Sequence, residues 1–169
     1  RLLFGVKNQR KRILGHEFSG IVESVGENVS KFHVGDAVFG TTGFKGGGHA
    51  EYISLPEDGI IALKPEDISF EEAAALAIGG ICALHLIKIL NMQSGNKVLI
   101  YGASGSIGTY AVQLAKHFGA KVTAVCSTKN IELVKSLGAD DVLDYTKQDV
   151  LQTNEKYDSI FDTVGKFPK

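Results

Sequence analysis

Residues 98–108 read Val98-Leu99-Ile100-Tyr101-Gly102-Ala103-Ser104-Gly105-Ser106-Ile107-Gly108. An apolar strand runs into a glycine turn, and the turn opens a helix. Gly102 and Ala103 permit a tight turn, Gly105 lets backbone approach a phosphate, and Gly108 lets the helix pack hard against the strand. The helix start adds unpaired N–H groups and the positive end of a dipole. The pattern therefore predicts a pyrophosphate cradle. The competing reading is a glycine turn with no ligand, and the flanking residues weigh against it. Residues 97–101 read as a strand, and Ile107, Ala111, Leu114, Ala115 and Phe118 share one helical face. Gly119 stands where a helix C′ residue is expected, and Lys121 to Cys126 reads as a second buried strand. The whole βαβ unit fits in the roughly 30 residues that such a site needs.

Working outward, the alternation continues. Asn130 or Thr128 can cap a helix running to Leu137, which Gly138 closes. Asp141 to Asp144 is a short strand, residues 147–152 suit a turn or two of helix, and Ser159 to Thr163 is a fourth strand. This order predicts an α/β unit, the first half of a doubly wound parallel sheet. The region before it differs. Gly20–Val25, Asp36–Phe39, His49–Leu55 and Ile60–Leu63 read as short strands with glycine turns, as in a small β-barrel or sandwich. Thr41 to Gly48 is a loop. Between the two regions, Pro65 marks a boundary and Ser69 to Glu72 forms a capping box. An Ala-rich helix follows, which Gly79-Gly80 breaks or kinks, and Ile81 to Leu90 resumes it. The expected organisation is a β-rich part over 1–64, connecting helices over 65–94 and the half-sheet over 95–169. The chain opens without Met and stops soon after a strand, so both ends read as cut.

Composition narrows the function classes. The 169 residues are 44% hydrophobic and 22% charged, with a formal net charge of −1. That charge leaves no footprint for nucleic acid or an anionic membrane. The longest apolar run, Ala73 to Leu84, is shorter than the ~20 residues of a membrane span. Cys82 and Cys126 both lie in apolar stretches and read as small buried hydrophobes in a reducing, cytoplasmic setting.

The end of the second parallel strand discriminates between dinucleotides. An NAD site usually places Asp or Glu there for the ribose 2′-OH. Here the residues are Cys126-Ser127-Thr128-Lys129, with no carboxylate until Glu132. Ser127 and Lys129 offer the hydroxyl and the cation that a 2′-phosphate needs, and Tyr145 could add a phenol. This chemistry favours NADPH. Alternatively, Ser127, Thr128 and Lys129 only cap and solubilise the next helix. That reading explains the hydroxyls but not the missing acid.

Four ordered motifs then resemble the medium-chain dehydrogenase/reductase superfamily: Gly15 to Gly26, Val34 to Gly40, Gly48 to Tyr52, and Gly102 to Gly108. The resemblance covers nearly the whole chain. It implies a GroES-like catalytic domain followed by a Rossmann domain, with the active site in the cleft between them. It assigns Ala103, Ser104, Gly105, Ser106, Ile107 and Gly108 to the cofactor phosphates and places Cys82 near the nicotinamide. In zinc-dependent members the His of Gly15-His16-Glu17 is a metal ligand, joined by an upstream Cys and by a second Cys whose position here falls near Ile78. Ile78 cannot coordinate, and the four-cysteine zinc lobe is replaced by Thr41–Gly48.

The resemblance is thus to the zinc-independent, quinone reductase-like branch. It implies hydride transfer from NADPH to a quinone or an α,β-unsaturated carbonyl, with no metal. Two alternatives stay open: a zinc-dependent alcohol dehydrogenase with a ligand before Arg1, and a non-catalytic NADPH-binding relative. Ser19 and Tyr52 are the nearest polar candidates for a general acid by motif position, each with a turn or strand role as its alternative. An uncovered sheet edge leaves pairing with a second copy, as a homodimer, open.

Overall fold

A computed structural model describes residues 13–152, 155–165 and 167. The chain divides after Ile78 into two compact units. In the first, β1 (Glu17–Ile21), β2 (Ala37–Thr41) and β3 (Ile60–Leu63) form an antiparallel sheet with β2 in the centre. Ser19 faces Phe39, and Phe39 faces Ala62 on the other side. Val38 and Gly40 are the buried residues of β2, and Ala37, Phe39 and Thr41 are half-buried, the period-two alternation of a sheet with one covered face.

Two expectations for this unit need correction. The strand read over Gly20–Val25 lies earlier, at Glu17–Ile21. The ladder closes at Val22, which donates to Asp36 O (2.9 Å) and accepts from Gly35 N–H (2.9 Å), and residues 23–28 are exposed. His49–Leu55 forms no strand at all. Its alternating pattern has no ladder partner among the described residues, and alternation predicts a strand only where a neighbour pairs with it.

The helix α1 (Phe70–Ile89) starts at the expected capping box. Ser69 Oγ accepts from Glu72 N–H at 3.1 Å, and the Glu72 carboxylate accepts from Ser69 N–H at 2.8 Å. The helix then runs through Gly79-Gly80 without the expected break. Gly79 serves close packing instead. A Cβ there would lie 2.8 Å from both Ser106 Oγ and Tyr110 Cε2. At 20 residues α1 is longer than the apolar run counted from sequence, and by length and composition it could cross a membrane. Its Ala73, Ala77, Ala83 and Ile87 are buried in the protein, and Ala83 and Ile87 join the core of the second unit. One face of the helix is thus buried, while Ile81, Leu86 and Ile89 are exposed.

The second unit is a four-stranded parallel sheet in the order β6-β5-β4-β7, built from β4 (Lys97–Tyr101), β5 (Lys121–Cys126), β6 (Asp141–Asp144) and β7 (Ser159–Asp162). Val98, Ile100, Val122, Ala124 and Cys126 are buried on one face against Ala111, Val112 and Ala115 of α2 (Ser106–His117) and Val134 of α3 (Ile131–Ser136). Leu99 and Val125 are buried on the other face, with Val150. Both helices end in Schellman motifs at the predicted glycines. At α2, Gly119 (φ +80) donates to Lys116 O and Ala120 to Ala115 O; Gly138 and Ala139 repeat this at α3. After β6 the chain crosses to the far side of β4. The order thus reverses beside β4, and ligands of open α/β sheets bind at that point, outside the strands' carboxyl ends. This is the expected half-Rossmann topology.

Candidate functional site at the carboxyl ends of the parallel strands

The turn after β4 is anchored to β5. Gly102 and Ala103 N–H both donate to Val125 O, at 3.1 and 3.0 Å. Gly102 has φ +76, and a Cβ there would lie 2.3 Å from Val164 Cγ2 and 2.6 Å from Thr163 Oγ1. Conformation and space therefore both require glycine. The Thr163 hydroxyl, just past β7, lies within hydrogen-bond reach of Tyr101 O (2.9 Å) and Gly102 O (3.1 Å). A Cβ on Gly108 would stand 2.2 Å from Gly102 O and 2.8 Å from Ala103 Cα, so the start of α2 sits directly on the turn, as its sequence predicts.

Gly105 is the N-cap and brings no side chain to the helix end. The first helical bond runs from Thr109 N–H to Gly105 O (2.9 Å). Ser106, Ile107 and Gly108 N–H lie ahead of it, with no carbonyl four residues back inside the helix. Three donors and the dipole end suit a pyrophosphate. Ala103 and Gly108 are buried beneath this surface, while Gly105 and Ser106 are exposed on it.

The segment after β5 forms the adjoining wall. Residues Thr128–Asn130 make a 3-10 turn ahead of α3. Neither Thr128 nor Asn130 caps α3 through its side chain, contrary to expectation. Asn130 Nδ2 donates to Ser104 Oγ at 2.9 Å and lies 3.5 Å from Ser127 Oγ, which joins this wall to the glycine turn. Thr128 Oγ1 donates to the Asp144 carboxylate. Ser127 is half-buried, Lys129 is exposed, and Tyr145 is 51% exposed with its N–H donating to Cys126 O. Cys82 lies on α1 one turn beyond Gly79, half-buried.

Sequence reasoning missed two members of this wall. Asn130 reads as an ordinary cap, and nothing local signals its reach to Ser104. In sequence Asp144 reads only as a strand end. The pairing Cys126↔Asp144 puts this carboxylate beside the 127–130 segment. It is 7% exposed and accepts from Thr146 N–H (2.9 Å) and Thr146 Oγ1 (2.7 Å) as well as from Thr128. The Thr128 bond first, then the Thr146 bonds and nearby Lys147, hold its carboxyl below the usual range. The Cys126 thiol is pushed up by burial and then by Asp144, which makes it a poor nucleophile.

The chain is similar to known proteins. The alcohol dehydrogenase GroES-like domain family matches residues 4–65, and the zinc-binding dehydrogenase family matches residues 106–168. A 2-methylene-furan-3-one reductase of Solanum lycopersicum is 40% identical over 164 residues, covering 92% of this chain and 42% of the relative. An NADPH-dependent alkenal/one oxidoreductase of Arabidopsis thaliana is 37% identical, with the same coverage. The solved quinone oxidoreductase of Coxiella burnetii superposes with a TM-score of 0.84 at 35% identity, over 90% of this chain and 49% of that one. The chain belongs to the medium-chain dehydrogenase/reductase superfamily. It spans about half the length of the curated relatives it matches.

Zinc-dependent members of this superfamily raise the question of a metal, and two of the polar side chains in question have partners within the protein. His16 Nδ1 is 2.7 Å from Gly43 O, and the Glu17 carboxylate accepts from Ile78 N–H at 2.9 Å. The hydrocarbon side chain of Ile78 offers no electron pair, and a catalytic zinc takes three protein ligands. No group of three or more His, Cys, Asp or Glu side chains able to hold a metal occurs among the described residues. Ser19 donates to Phe70 O at 2.5 Å, a structural bond at the head of α1, and Tyr52 is 72% exposed outside any strand.

Proposed function

We propose that this chain carries the NADPH-binding part of a reductase that transfers hydride to a quinone or an α,β-unsaturated carbonyl without zinc. The observation that carries the reading is the glycine cradle joined to a wall of Ser127 and Lys129. Ser106, Ile107 and Gly108 N–H hold the pyrophosphate. Ser127 and Lys129 hold the 2′-phosphate, with Tyr145 beside them, and Cys82 borders the nicotinamide. When bound, NADPH supplies hydride from its nicotinamide ring. The protein's task is then to orient that ring and the acceptor and to polarise the acceptor oxygen with hydrogen-bond donors. The names of the tomato, Arabidopsis and Coxiella relatives support this acceptor class.

The metal-free reading draws on the commitment of Glu17 to Ile78 N–H. The zinc-binding dehydrogenase match does not oppose it, because residues 106–168 contain neither His16 nor Ile78. Metal analysis tests it: one tightly bound zinc per chain of the whole protein would overturn it. Two free thiols suit a reducing compartment such as the cytoplasm.

The central test is titration of the full chain with NADPH and NADH, followed by a panel of quinones and enals. NADPH should bind more tightly. Lys129→Ala should weaken NADPH by about tenfold and leave NADH nearly unchanged, as expected for loss of one charge-assisted contact to phosphate. Equal loss for both cofactors would remove Lys129 from the 2′-phosphate site.

A further inference from the structure

Ser127, Thr128, Lys129 and Asn130 follow one another on a tight turn, so the four polar side chains cannot all face one ligand. The structure divides them. Asn130 reaches Ser104, and Thr128 turns to Asp144 on the neighbouring strand. Ser127 and Lys129 flank Thr128 in sequence. We propose that Asp144 is a positioning residue for cofactor discrimination: by holding Thr128 against β6, it presents Ser127 and Lys129 to the 2′-phosphate of NADPH. This inference rests on the NADPH reading above.

The carboxylate invites an opposite reading. An acid beside a ribose site usually accepts from the 2′-OH and repels a 2′-phosphate. The hydrogen bonds argue against that here. Asp144 already accepts from the Thr128 hydroxyl and from both the hydroxyl and the N–H of Thr146. Lys147 Nζ stands 3.9 Å from Oδ2, the oxygen that accepts from Thr128, and the side chain is nearly closed to solvent. Its charge is directed into the protein, toward the two segments that carry Ser127, Lys129 and Tyr145. The Thr128 and Thr146 hydroxyl oxygens, 3.0 Å apart, close the link between these segments.

Calorimetric titration of the full chain with NADPH and with NADH tests the proposal on wild type, Asp144→Ala, Thr128→Val and Thr128→Ser. Thr128→Val removes the donor with little change of shape at an exposed position, so it keeps the test informative even where Asp144→Ala fails to fold. Thr128→Val and Asp144→Ala should weaken NADPH about tenfold and NADH less than about twofold, and Thr128→Ser should restore wild-type values. Amide exchange over residues 127–130 should quicken in Thr128→Val without ligand. Parallel loss for both cofactors would reduce Asp144 to general support, and unchanged discrimination in Thr128→Val would refute its positioning role. A gain in NADPH affinity in Asp144→Ala would make it a ribose acid. A wild-type chain with no preference for NADPH would instead overturn the cofactor reading itself, before any variant is compared.

Discussion

Gly105 and Gly108 belong to one motif, yet the structure gives them separable duties, and alanine at each position should separate them. A Cβ on Gly108 would lie 2.2 Å from Gly102 O and 2.8 Å from Ala103 Cα, all backbone atoms that cannot swing aside. Reaching van der Waals separation requires α2 to withdraw by about 1 Å. Overpacking of this kind costs roughly 1–3 kcal/mol, and alanine's better helix propensity returns up to about 1 kcal/mol. A net loss of about 1 kcal/mol lowers Tm by roughly 2–4 °C in a chain of this size. At Gly105 a Cβ meets only Gly102 O, at 3.3 Å, and otherwise projects from an exposed helix end. Gly105→Ala should therefore cost less than about 1 kcal/mol. It should still weaken NADPH markedly, because the methyl group stands where the phosphates approach. Thermal melts and NADPH titrations of both variants provide the readout. The reasoning fails if Gly108→Ala melts with wild type, or if Gly105→Ala binds NADPH as wild type does.

Glu17→Ala should lower stability by about 1 kcal/mol by leaving Ile78 N–H without its carboxylate, and Glu17→Gln, which keeps an acceptor, should lose less in a denaturant titration. Acid should destabilise the fold in part through Asp140 and Asp144. For Asp140, burial opposes ionisation, but Lys116 at 2.7 Å and Val122 N–H at 2.6 Å outweigh it, so its carboxyl is held low. Asp144 is held low by Thr128 first. Native carboxyls lowered below the unfolded value of about 3.9 contribute stability above that pH and lose it as pH falls through the native value. Melting temperature measured from pH 6 down to pH 3 should drop less steeply for Asp140→Asn than for wild type.

Much of the sheet was legible because each buried strand carries its own signal. Lys97–Tyr101, Lys121–Cys126 and Asp141–Asp144 occur where their apolar runs stand, and the Gly119 and Gly138 stops follow from the left-handed turn that a Schellman motif needs. The errors lie where a partner decides the outcome. His49–Leu55 alternates like a strand but finds no ladder. Gly79-Gly80 reads as a break, yet Gly79 is small because Tyr110 and Ser106 press against it. At the site, the glycine turn and the start of α2 were readable from local spacing. The roles of Asn130 and Asp144 were not, because they depend on Ser104 and Thr128, brought close only by the fold.

The bonds from Thr163 to the carbonyls of Tyr101 and Gly102 have a consequence for the order of events during synthesis. The glycine turn after β4 is made long before β7, but Thr163 reaches it only when β7 has paired alongside β4. A nascent chain therefore holds every cradle residue while its turn still lacks this clasp. A dinucleotide that bound the clasped turn more tightly than the open one would favour the chains in which β7 has docked beside β4.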